Sequence, residues 1–530
     1  MGMKQKRASL LVVLTMLTSL LAACGGNNNN GGNTPAPSND GAATNKGAAV
    51  SGEAAADGEK KLDKVELTWY LLGDAHKDQD KVVAEFNKML SKDLNTTIKL
   101  NFTTWNDWQT KYNLLLTSGE KVDMIFASSW ADYYKLAKQG AFLDLKDMLP
   151  QYAPTTWGNV PKQDWESVTV GGGIFAVPNT NAEYTPDGFV YREDWRKELN
   201  LPEFTDVNSI EAYLDAVKTQ KKVTPINGAA YENVQRLFRT WYDFQPIGSD
   251  VIGATSYNTP RDIQVIPFTA QFEEWVKKMK TWADKGYWNK NALSSKQEAG
   301  DFIKTGQGAY YWRNPSSAGG FINEITAKQL KMEIGYFPFT RFHNYVIPTL
   351  PIANGMAIPK SSKNPERSLM VLDKLRNDPA YFNLLTYGIE GTHWAKGEND
   401  KTIVIPAPGV DLNKTPRYDI ASWGWRYEPN MKAEKGGWAG LDKLKEEFKP
   451  ISKPDIFGPI YMDYEPVKAE LAAVNQVFEQ YGKPLMLGLT SNVDASLKTY
   501  RDKLKAAGIE KVLEYVKTEA NKYFDEKGIQ

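Results

Sequence analysis

Tryptophan recurs in this chain beside hydroxyls, amides and guanidinium groups. Ser128-Ser129-Trp130, Trp312-Arg313-Asn314 and Ser422-Trp423-Gly424-Trp425-Arg426 each set an indole next to hydrogen-bonding groups. Such pairings suit a polyhydroxylated ligand, whose C–H faces stack on rings while its hydroxyls take hydrogen bonds. Asn181 and Tyr184 sit with Glu183 in another polar stretch, and Asp74 and Glu390 are carboxylates able to accept paired hydroxyls. The candidate ligand residues are therefore Asp74, Ser128, Ser129, Trp130, Asn181, Tyr184, Trp312, Arg313, Glu390, Trp423, Trp425 and Arg426. Arg313 and Arg426 also suit a second task, clamping a carboxylate. Each tryptophan suits core packing as well. Ser128-Ser129 reads equally as a helix cap ahead of a packing indole.

Groups for bond-making chemistry do not assemble into a motif. Pairs such as Asp463 and Glu465 could serve a glycosidase, but a chain with 64 acidic residues supplies such pairs freely. There is no His-Glu-x-x-His, no Gly-x-Ser-x-Gly and no phosphate loop. His76, His343 and His393 are too widely spaced to form a metal cluster by spacing. A binding protein without catalysis, cofactor or metal is expected. A peptide-binding or sensory protein and a surface carbohydrate-active enzyme are the rival classes.

One cysteine occurs in 530 residues, and its setting is informative. Lys4, Lys6 and Arg7 precede an apolar run from Leu10 to Leu21, too short to span a bilayer stably. Leu21-Ala22-Ala23-Cys24 then matches a bacterial lipobox, whose cysteine is diacylated and becomes the new N-terminus. Residues 1–23 are expected to be a lipoprotein signal peptide. Residues 24–61, rich in Gly, Asn, Ala, Ser and Pro, are expected to be a disordered tether. Cys24 would hold the chain on the membrane through acyl chains. A lone cysteine also excludes disulfides within the chain.

Formal net charge is zero, and −3 without residues 1–23. Such a chain has no overall field for gripping nucleic acid, which is not expected as a partner. A monomer is expected. The length calls for at least two domains.

The elements that must position the candidate residues follow from hydrophobic period. Val65 to Leu71 alternates as a strand, and Val82, Val83, Phe86, Met89 and Leu90 recur at helical spacing. A strand at Ile98–Phe102, a helix at Trp105–Leu116, a strand at Val122–Ala127 and a helix around Tyr133–Ala137 follow. This βαβαβ order implies a parallel sheet with helices on its faces. Ligands bind beyond the carboxyl ends of such strands, which here are Gly73-Asp74, Thr103-Thr104-Trp105 and Ser128-Ser129-Trp130. Further on, Asn208 and Glu211 read as a capping box, and Thr269 as the cap of a helix burying Trp275 and Trp282. From about Pro466 the chain reads as mostly helical.

Several segments taken in order carry a resemblance. They include Asp123-Met124-Ile125-Phe126, Leu136 through Leu145 (LAKQGAFLDL), Phe175-Ala176-Val177-Pro178 and Gly188 through Trp195 (GFVYREDW). Phe302 with Gly306-Gln307-Gly308-Ala309, Tyr387 through Trp394 (YGIEGTHW), Pro466 through Leu471 and Leu504 through Ile509 complete the set. The chain resembles family 1 extracellular solute-binding lipoproteins of ABC carbohydrate importers, in the LplA-like branch with an extra C-terminal domain. The resemblance implies an α/β, two-lobed, type II periplasmic-binding-protein-like fold with a hinge and a helical C-terminal extension. It implies capture of an oligosaccharide, permease subunits as partners and a place on the outer face of the cell membrane. The expected layout is a first part of lobe 1 at 62–178, lobe 2 at 179–349, a return to lobe 1 at 350–425 and a C-terminal helical region at 426–530. The chain would cross near Pro178 and return near Asn354–Pro359. Some relatives carry a calcium loop in lobe 2. Gln220 to Pro225 lacks its oxygen ligands, so no calcium is expected there.

Overall fold

A computed structural model describes residues 62–530, apart from Asn106, Ala182 and Asn413. The expected signal peptide, tether and Cys24 lie outside the described residues.

The first strands form as their period requires. Strand β1 (Val65–Leu72), helix α1 (Gln79–Leu94), strand β2 (Thr96–Thr103), helix α2 (Trp108–Thr117), strand β3 (Met124–Ala127) and helix α3 (Tyr133–Lys138) run in order. Strand β1 lies between β2 and β3, parallel to both. Every residue of β3 is buried, the mark of a strand covered on both faces. Helix α1 turns Val82, Phe86, Leu90 and Leu94 onto the sheet and ends at Asn95, whose φ of 45° stops the helix.

The sheet is finished by chain from far away. Gly355–Ala357 pairs antiparallel with β3, and Val177–Pro178 pairs antiparallel with Gly355–Met356. Asp123 pins this closure. Its fully buried carboxylate accepts from the Thr68 amide, from Ser362 Oγ and from Asn364 Nδ2. A buried carboxylate is tolerated because its acceptor positions are filled. Two helices of the return segment, Pro365–Asn377 and Pro379–Tyr387, cover the same core with Leu369, Leu372, Leu375, Phe382 and Leu385.

Lobe 2 has its own core. Gly188–Arg192 is the middle strand between Tyr310–Trp312 and Ile334–Pro338, antiparallel to both. Helix Ala270–Asp284 starts at Thr269, whose side chain accepts from the Phe272 amide, and it buries Trp275 and Trp282. The other expected cap is corrected. Helix Val207–Ala216 begins at Asp206, which pairs with Ser209 in a reciprocal box. Asn208 and Glu211 lie inside the helix, where Glu211 takes Lys278 and Lys285 at 3.0 Å each.

Residues from Met462 onward complete the core of lobe 2. Val467, Val474, Phe478, Leu485, Leu497, Tyr500, Leu504, Val512, Val516 and Phe524 join the cluster that holds Trp275 and Met279. At Gly488 the backbone takes φ 60° beside the Met279 carbonyl, 2.3 Å from where a Cβ would stand. The neighbouring Leu487 carbonyl accepts from Trp288 Nε1 at 3.0 Å.

Three chain segments cross between the lobes and pair side by side. Tyr184 bridges Pro348, and Val346 bridges Ser452. The Thr349 amide donates to Glu183 O, and the Lys453 amide to Val346 O. Among the described residues no helix is long and apolar enough to cross a membrane.

Candidate functional site

The carboxyl ends of β2 and β3 carry an exposed aromatic wall. Trp105 lies on the turn after β2, and Trp130 in the short 3-10 turn after β3. They are 49% and 45% exposed, an unusual state for rings of this size. Their centroids are 6.1 Å apart with planes inclined 22°. Trp423 extends the wall at 5.6 Å from Trp105. Phe126 backs Trp130 at 5.7 Å and Trp423 at 5.9 Å, and Trp108 meets Trp130 edge-on at 6.0 Å.

Polar contacts fix the orientation of this wall before any ligand arrives. Trp130 Nε1 donates to Ala353 O at 2.8 Å, and Ser128 Oγ donates to the same carbonyl at 2.7 Å. Ser128 Oγ also accepts from the Trp130 amide, so the serine is the cap of the turn and is fully buried. Ser128 thus sets the wall rather than facing a ligand. Ser129 is half-buried at the start of the turn. Asn179 Nδ2 donates to Trp423 O, tying the third indole to the first crossing segment. A rigid platform binds with less ordering cost than a mobile one.

Other expected contacts are placed differently. Trp425 is fully buried, 5.3 Å from Trp69, with Nε1 donating to Thr386 Oγ1 at 3.0 Å. It belongs to the core of lobe 1, because the 3-10 turn Ser422–Trp425 points Trp423 and Trp425 apart. Trp312 and Arg313 do not form one site, since the strand ends at Trp312, and Arg313, just beyond it, turns back over Tyr311 on the other face. Trp312 is half-buried, with Nε1 donating to Asp187 at 2.8 Å and Arg236 packed on its ring at 4.5 Å. Arg313 lies over Tyr311 at 3.6 Å, in the separate cluster of Phe321 and Ile325, and burial draws its pKa down to about 10.

At the crossing, Arg426 and Tyr184 are engaged in structure. Arg426 Nη1 meets Glu183 Oε2 at 3.0 Å, while Ser316 Oγ donates to Glu183 Oε1 at 2.9 Å. Tyr184 packs on Phe448 at 5.6 Å, and its hydroxyl accepts from Ser452 Oγ. Neither arginine named for a carboxylate clamp is free for it. Asn181 is half-buried on the same segment. Asp74 is exposed after β1, and Glu390 lies on an exposed turn with Lys396 4.0 Å away.

Trp105 and Trp108 belong to this aromatic cluster and are not among the expected ligand residues. Trp105 falls in one of the three strand-end segments, so its position carried the signal. Trp108 opens a helix and gives none.

A two-lobed α/β body, crossed by three paired segments and bearing exposed indoles at its strand ends, is the frame of a solute trap. Residues 76–375, more than half of the chain, match the family described as bacterial extracellular solute-binding protein. The chain belongs to that family. Residues 460–525 of this solute-binding protein also match DUF3502, a domain of unknown function, and that stretch is the part that completes lobe 2. A carbohydrate ABC transporter substrate-binding protein of Streptococcus pneumoniae is 24% identical over 481 residues, 88% of this chain and 91% of its own. The polygalacturonan/rhamnogalacturonan-binding protein YtcQ of Bacillus subtilis is 24% identical over 360 residues, 64% of this chain and 68% of its own. The N-glycan transport solute-binding protein NgtS of S. pneumoniae has a similar fold, with a TM-score of 0.70 and 18% identity. That likeness covers 88% of this chain and all of NgtS.

Proposed function

We propose that this protein captures an oligosaccharide outside the cell and delivers it to the permease subunits of an ABC importer. The observation that carries this reading is the exposed pair Trp105 and Trp130 at the strand ends of lobe 1, extended by the half-buried Trp423. An extended aromatic surface of this kind suits the C–H faces of sugar rings. The S. pneumoniae relative carries carbohydrate transport in its name, and NgtS has been crystallised with Man1GlcNAc and with Man5GlcNAc. Both support the same ligand class here. The protein acts as a binding component, a monomer that closes its lobes on the ligand and releases it unchanged. Closure is driven by tighter binding to the closed form.

A thermal-shift screen of residues 62–530 tests this. Neutral and acidic oligosaccharides are compared with oligopeptides. A ligand at a hundred times its Kd stabilises the folded state by about 2.7 kcal/mol. A rise with one class of oligosaccharide and none with peptides is expected. A rise with peptides alone contradicts the reading, and cleavage of the sugar would restore the enzyme class.

Lipidation of Cys24 keeps the protein at the outer face of the membrane. The charged, apolar and small residues that precede Cys24 in order support it. Cys24→Ala moves the protein from the membrane fraction to the soluble fraction of cells. Unchanged fractionation counts against the anchor.

A further inference from the structure

A cavity of about 250 Å³ opens at the hinge end of lobe 2, lined by Asp187, Arg236, Arg239, Thr340, His343 and Tyr345, among others. Arg236 and Arg239 lie three residues apart on helix Tyr231–Trp241 and so share a face. Arg239 is mostly buried, and its Nε has no hydrogen-bond partner. No hydrogen bond or ion pair reaches its guanidinium from any described residue. Arg236 is 3.6 Å from Asp187, and its Nε is unpartnered too. Thr340 Oγ1, on a residue only 5% exposed, is a third polar atom without a partner.

Buried polar groups are normally satisfied, and a buried charge most of all. The acids of the cavity do not answer this need. Asp243 is filled by Ser256, Gln245, Tyr345 and the Tyr257 amide. Asp187 holds Trp312 Nε1 and Arg236. Burial and the neighbouring Arg236 both lower the pKa of Arg239, so its charge is held at a cost that an incoming anion relieves.

We infer that this cavity is a carboxylate-binding subsite and that the oligosaccharide presents a uronate to it, an inference that rests on the oligosaccharide reading above. Arg236 and Arg239 supply the donors, and Thr340 Oγ1 adds a third. Trp312 shares Asp187 and Arg236 with the cavity, so a sugar ring beside that indole brings its carboxylate to the two arginines. Guanidinium and carboxylate are matched in shape and charge.

Calorimetric titration of residues 62–530 with galacturonate, glucuronate and mannuronate oligosaccharides, each beside its methyl ester, and with neutral and sulfated oligosaccharides, tests this. Esterification removes the charge and keeps the ring. The acid is expected to bind about ten- to a hundredfold more tightly than its ester. Arg239→Gln is expected to remove most of that difference without lowering the melting temperature of the unliganded protein, since the native side chain has no partner to lose. If that variant does not fold, the comparison of acid with ester in the native protein decides alone. Neutral oligosaccharides binding while no acid outbinds its ester overturns the inference and leaves the oligosaccharide reading intact. A gain with sulfated sugars but not with uronates overturns the assignment to a carboxylate. Failure of every oligosaccharide, neutral or acidic, removes both.

Discussion

Trp130→Ala weakens oligosaccharide binding by about 2 kcal/mol, roughly thirtyfold in Kd, with little change in the melting temperature of the free protein. The indole is 45% exposed, so the folded state loses little buried area when it goes. Its one polar tie is to Ala353 O, and Ser128 Oγ still donates to that carbonyl in the variant. Binding loses a stacking face that was already oriented. Changing Trp105 to alanine as well removes the pair of faces 6.1 Å apart and abolishes measurable binding. Titration calorimetry and thermal unfolding on the same samples check both statements. Equal losses of affinity and stability would place these rings in the core instead.

Trp425→Ala has the opposite signature. It destabilises lobe 1 by about 3–5 kcal/mol, the usual cost of emptying a site that held a buried aromatic ring. Trp425 is fully buried against Trp69, and its loss also leaves Thr386 Oγ1 without the indole that donated to it. Lobe 1 and lobe 2 have separate cores, so unfolding is expected to split into two transitions, with the lower one belonging to lobe 1. Differential scanning calorimetry checks this. A single transition at the native temperature would contradict the placement of Trp425. Two tryptophans two residues apart thus divide the work, Trp423 on the wall and Trp425 in the core.

That division shows what was legible in the sequence. The βαβαβ order followed from period alone, because α1 and β3 carry unbroken apolar patterns. The three strand-end segments were legible because a βαβαβ order fixes where its parallel strands end. Which side chain of a segment faces out was not. The end of the strand Tyr310–Trp312 separates Trp312 from Arg313, and the Ser422–Trp425 turn separates Trp423 from Trp425. The spacing of Asn208 and Glu211 imitates a capping box two residues past the true cap at Asp206. The late helices showed their stripes, but their merger with the Trp275 cluster depends on contacts more than 150 residues apart, which no local pattern encodes. Arg239 drew no notice in the sequence, since nothing local marks an arginine as unpartnered.

Tryptophan emission during an oligosaccharide titration tests the central claim most directly. The native protein and the Trp105→Ala/Trp130→Ala variant are titrated in parallel with the sugar that gives the largest thermal shift. Desolvation of the exposed indoles predicts a saturable blue shift in the native protein and none in the double variant. Binding of the sugar to both proteins with no shift in either would mean that the wall is not where the ligand sits.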